Sequence, residues 1–169
     1  ISLGKRSEGL SHELNNPASA LERCAAMLED RIEDSEEATR QLSCTTLSDV
    51  QIASVDAIRG ACIPKKTQGV RSPMEQLDRE EAMTEWLACH GLDTASAGML
   101  ADTEATVESL DRLADAVQGP ALNAVVRWAA AGCAVRSLVS QIQGCSMRIS
   151  GLVTAVKGFT NMDQANVAE

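Results

Sequence analysis

The sequence predicts an all-α chain built on two long antiparallel helices with a small helical insertion between them. Three observations lead there. Aromatic residues make up 2% of the 169 residues against 44% hydrophobic residues in all. A core of Ala, Leu, Val, Ile and Met suits packed helices, whereas strands draw on aromatic and β-branched side chains. The other two observations are sustained helical stripes, one at each end of the chain.

The first stripe reads Leu3, Leu10, Leu14, Leu21 and Leu28, with Pro17, Ala18, Cys24 and Ala25 in the intervening seam and Ile32 continuing it. That is a heptad-like pattern on one long helix. Its exterior is acidic (Glu29, Asp30, Glu33, Asp34, Glu36, Glu37), and helical signal weakens toward Cys44. Pro17 lies inside the helix, where the missing N–H costs about 3 kcal/mol and ordinarily kinks the axis.

Residues 45–119 read as the insertion. Thr45–Arg59 suits a helix or an extension of the first one. Gly60–Pro73 reads as a loop carrying Lys65-Lys66. Asp78-Arg79-Glu80-Glu81 has capping-box spacing and opens a helix through Trp86, Leu87 and Cys89, closed by His90-Gly91. Short helices follow over about Ala95–Ala101 and Glu104–Val117. Gly119-Pro120 then breaks the chain, and Pro suits a helix start. The second stripe reads Leu122, Val125, Val126, Ala129, Cys133, Val139, Ile142, Cys145, Ile149, Leu152, Val153, Val156 and Phe159. The expected organisation is one domain with segments 1–44, 45–119 and 120–169. If the long helices turn near Ser43 and restart near Pro120, residues at one height have numbers summing to about 163, which sets His12 level with Gly151.

The formal net charge of -9 argues against nucleic acid and anionic membrane surfaces as partners. No apolar run reaches the ~20 residues that span a bilayer, and no signal peptide is visible. The six cysteines are scattered without a C-x-x-C pair and read as reduced, mostly buried helix residues of a cytoplasmic chain. No second Cys/His pair stands at zinc spacing from Cys89-His90, so no metal site is expected. The chain opens at Ile1 in mid-pattern and closes on N-V-A-E, which reads as a piece of a longer protein.

The chemistry concentrates at His12. It falls between Leu10 and Leu14 on the opposite side of the helix and should face outward. An exposed imidazole is well populated in its neutral, nucleophilic form near neutral pH. Glu13 follows, and a carboxylate accepting the Nδ1 proton would leave Nε2 free to attack phosphorus. Asn16, one turn on, projects from the same side and could position a water.

The string Gly9-Leu10-Ser11-His12-Glu13-Leu14-Asn15-Asn16-Pro17 resembles the H-box of sensor histidine kinases: a phospho-accepting His, an acidic neighbour, Asn four residues later and Pro just beyond. The stretch from Arg148 to Ala165, with Ile149, Leu152, Val153, Ala155-Val156-Lys157, Phe159-Thr160 and Met162-Asp163-Gln164-Ala165, resembles the second helix of the same domain in a soluble subgroup. Glu85–Gly91 and Arg127-Trp128 resemble that subgroup's helical insertion. The resemblance implies a dimeric four-helix bundle and a two-component phosphorelay. His12 would accept the ATP γ-phosphoryl and pass it to an Asp of a response regulator receiver domain. Glu13 would be the general acid/base, Asn16 would position water for the phosphatase reaction, and Pro17 would bend the helix. The partners implied are a second copy and the ATP-binding domain of the same protein. The Asn-bearing helix and Gly-rich boxes that hold ATP and Mg do not occur here, so no cofactor is expected in this chain and it should not autophosphorylate alone. The rival readings are a non-catalytic helical dimerisation or ligand-sensing adaptor and a stand-alone histidine phosphotransfer protein.

Overall fold

The computed structural model describes the backbone of residues 3–63 and 71–166 and the side chains of residues 9–63 and 71–157. Among the described residues every regular element is helical, with no strand: α1 (Leu3–Ser43), α2 (Asp49–Ala61), α3 (Pro73–Cys89), a 3-10 turn (Thr94–Ser96), α4 (Ala97–Ala101), α5 (Val107–Ala116) and α6 (Pro120–Asn166). Lys65-Lys66, Leu3's side chain and the Phe159–Ala165 side chains lie outside the described residues.

The helix starts follow local side-chain chemistry. Ser48 caps α2 and Thr106 caps α5, each in a reciprocal box with the residue three places on. The expected start of α3 at Asp78 is corrected. Ser72 accepts from the Glu75 N–H, Glu75 Oε2 accepts from the Ser72 N–H at 2.8 Å, and Pro73 occupies the first turn. Ser72-Pro73-Met74-Glu75 satisfies two orphan N–H groups and suits Pro's fixed φ. Asp78–Glu81 therefore lies within the helix. The α3 end matches expectation: His90 is the C-cap, and Gly91 takes φ +66, the left-handed conformation that favours glycine.

The packing divides into two compact units. The central unit, Glu29–Ser137, joins the whole insertion to the last turns of α1 and the first turns of α6. Its core takes Val55 and Ile58 from α2, Met83, Trp86 and Leu87 from α3, Leu100 from α4, Leu110 and Leu113 from α5, and Val125, Val126 and Ala129 from α6. Trp86 is a core anchor, and its Nε1 donates to Asp111 Oδ1 at 2.7 Å. Arg71 and Arg79 both donate to the carbonyls of Ala101 and Thr103, fixing the turn between α4 and α5. Arg127 Nη1 donates to Gln41 Oε1 at 3.1 Å, joining α6 to α1 within this unit.

The cysteine expectation is corrected here. Cys62, the C-cap of α2, is bonded to Cys133 of α6 across 71 residues of sequence, with Cα atoms 5.4 Å apart. Of the four free cysteines only Cys24 is buried, while Cys44 and Cys89 are exposed. Pairing over such a separation leaves no spacing signature, because the partners meet only once the helices pack.

The terminal unit comprises residues 1–28 and 138–169. Its α1 seam reads Leu10, Leu14, Pro17, Leu21, Cys24 and Leu28, an alternation of four and three residues. The α6 seam reads Leu138, Ile142, Cys145, Ile149, Leu152 and Val156 with the same alternation. Ala25, Val139 and Val153, expected on the stripes, stand exposed beside them. Most of both seams is only half-buried, and Pro17, Cys24 and Leu138 alone reach full burial among the described residues of this unit.

Candidate functional site

His12 lies on α1 with its imidazole exposed. The burial pattern explains the placement. Leu10, Leu14 and Pro17 turn inward, and in a heptad whose seam runs through them position 12 lies diametrically opposite. Glu13 and Asn16 are also exposed, while Pro17 is buried. Helical spacing brings His12 and Asn16 to one side, four residues apart. Consecutive residues diverge by about 100° around a helix and do not face each other. Accordingly no hydrogen bond joins His12 to Glu13 among the described residues.

Pro17 adds a local effect. α1 continues through it. A helix interior would bond the residue-17 N–H to the carbonyl of residue 13, and proline has no such N–H. The carbonyl of Glu13 thus loses its intrahelical donor one residue after His12.

A side-chain contact within the terminal unit marks the opposing helix. Cys24 Sγ lies 3.6 Å from Gln141 Oε1, a pair whose numbers sum to 165, close to the expected 163. Carried along the pair at about 1.5 Å per residue, this register sets His12 level with Val153, two residues past Gly151. Val153 and Gly151 are both exposed there, so the flank of α6 beside the histidine is open. Nothing in the neighbourhood resembles a metal centre: among the described residues no group of three His, Cys, Asp or Glu side chains converges. His90 instead stacks on Trp86 with ring centroids 4.0 Å apart, and its Nδ1 lies 2.8 Å from the Trp86 carbonyl oxygen.

A second feature was not legible in the sequence. In the central unit a cavity of about 180 Å³ opens beside the Cys62–Cys133 bridge, walled by Ser35, Arg59, Trp128 and Arg136. Trp128 is only partly buried. The Arg59 guanidinium carbon stands 5.4 Å from the centre of its ring, a cation–π distance. These residues come from three helices and share no motif, so only the tertiary fold assembles them. Comparison of the chain with family models, with curated proteins and with solved structures finds no match to any of them.

Proposed function

We propose that this chain is the dimerising, phospho-accepting helical domain of a sensor histidine kinase, with His12 as the residue that carries the phosphoryl group. The observation that carries this reading is the Gly9–Pro17 string on α1, which holds His12 and Asn16 outward while Pro17 turns into the seam. A solvated His-Glu pair alone is commonplace. A helix-interior proline that opens the carbonyl next to the histidine is not.

In the reaction, His12 Nε2 attacks the γ-phosphorus of ATP bound to a separate domain. An N–P bond forms, the bond from the γ-phosphorus to the bridging oxygen breaks, and ADP leaves. Glu13 takes up the imidazole proton after a rotamer change that brings its carboxylate to Nδ1, in keeping with catalytic hydrogen bonds that tighten only in the reacting complex. The phosphoryl group then passes to an Asp carboxylate of a receiver domain, and Asn16 orients a water for the reverse, hydrolytic reaction. The α1–α6 pair works as one half of a four-helix bundle completed by a second copy.

The test supplies the matching ATP-binding domain and labelled ATP. Acid-labile label that disappears in His12→Gln is the expected result. No label, or label that survives the substitution, overturns the assignment.

A further inference from the structure

We propose that the cavity beside the Cys62–Cys133 bridge binds a small planar organic carboxylate, with Arg59 and Arg136 as its counterions and Trp128 as its apolar wall. The cavity is independent of His12 and lies wholly within the central unit. The eight residues lining the cavity include two arginines and no carboxylate. That is unexpected in a chain with 24 acidic and 15 basic residues.

The other arginines of this unit are engaged. Arg31 and Arg40 pair with acids on α1. Arg71 and Arg79 clamp backbone carbonyls, Arg112 donates to the Glu108 carbonyl, and Arg127 donates to Gln41. Arg59 and Arg136 have no hydrogen bond or ion pair among the described residues. Two guanidinium groups that share a cavity without an acid repel one another, and an anion between them relieves that repulsion.

The chemistry of the walls selects the anion. A guanidinium fork matches the two oxygens of a carboxylate. Trp128 and the disulfide present an apolar, polarisable surface that a bare inorganic anion would leave unused and a planar ring would cover. The volume is also suited to one ring, since a cavity of about 150 Å³ accommodates benzene.

The test uses the full chain with uniform nitrogen-15 labelling, following the two indole N–H signals of Trp86 and Trp128, assigned through Trp128→Phe. The probes are sodium benzoate, its neutral isostere benzamide, and inorganic phosphate. Expected is a saturable shift of the Trp128 signal alone, with a Kd at or below about 1 mM for benzoate. Arg136→Gln should weaken it about tenfold, as removal of one charge-assisted hydrogen-bond donor does, with helicity and melting temperature unchanged. Absence of a saturable shift overturns the proposal. So does benzamide binding as well as benzoate, which would mark an apolar hole. Phosphate binding as tightly as benzoate also overturns it, as a bare anion site. The ligand comparison needs no variant, so misfolding of a substituted chain leaves the proposal falsifiable, and no readout depends on phosphorylation.

Discussion

Around His12 three side chains share one helical stretch, and the proposed reaction gives them separable tasks. Asn16 is exposed one turn beyond the imidazole, and in the proposed reaction it acts on a water without touching the attacking nitrogen. Asn16→Ala is therefore expected to abolish dephosphorylation of the receiver domain while labelling of His12 persists. Equal loss of both in a paired kinase and phosphatase assay would remove Asn16 from its role. The placement of these residues was legible in the sequence, because outward and inward positions on α1 follow from heptad arithmetic. The relation of Glu13 to His12 was not, since neighbours in sequence diverge on a helix and only side-chain rotation brings them together. The grouping of Arg59, Trp128 and Arg136 was invisible for a different reason. Arg59 lies on α2 and the other two on α6, far apart in sequence, and arginine gives no sign in sequence of whether it finds a partner.

Among the elements, α3 shows how a start signal is misread. Asp78 and Glu81 have box spacing, but so do Ser72 and Glu75, and only the latter precede a proline that suits the first turn. Removing the cap in Ser72→Ala should cost about 1 kcal/mol in urea unfolding, the usual worth of a serine N-cap. The effect carries a pH signature. The Ser72 backbone N–H, and then its hydroxyl, hold the Glu75 carboxyl below its ordinary value of 4.5. A depressed folded-state pKa contributes stability that is present above the unfolded value and lost as pH falls through the folded one. Glu75→Gln should consequently flatten the acid limb of the stability curve below about pH 4.5, which unfolding midpoints measured down the pH scale would reveal. The link between α2 and α6 offers a second measurement. The Cys62–Cys133 bridge closes a 71-residue loop. In the chain-entropy account, a loop of that length is worth about 4 kcal/mol. Reduction, or Cys62→Ala with Cys133→Ala, should lower the urea midpoint accordingly, and an unchanged midpoint would show that the bridge does not form in solution.

The whole molecule distributes its burial unevenly. The central unit closes a core around Leu87, Leu100, Leu110 and Val125, all fully buried. The terminal unit has two apolar seams, yet Leu10, Leu14, Leu21, Ile142, Ile149 and Leu152 are only half-buried, and Met27 and Val153 stand exposed on their flanks. Two helices can cover only one side of each other, so a hairpin of this pattern leaves apolar surface facing water. In the proposed dimer a second hairpin with the same seam would cover it, and a symmetric pair would do so with one self-complementary patch. The all-α class and the long helices were legible because periodicity is local. How much of each stripe a single hairpin covers was not, because that depends on the packing of helices far apart in sequence. The expected outcome is a light-scattering mass twice the 17.9 kDa of one chain. Leu14→Asp, which places a charge on the seam, should shift that mass toward the monomer in a concentration-dependent way. The central unit's core, which does not use Leu14, should still give the near-ultraviolet circular dichroism of a packed Trp86. A single-chain mass for the unsubstituted protein at micromolar concentration would instead favour a phosphotransfer carrier. A dimer that survives Leu14→Asp unchanged would place the interface away from the α1 seam.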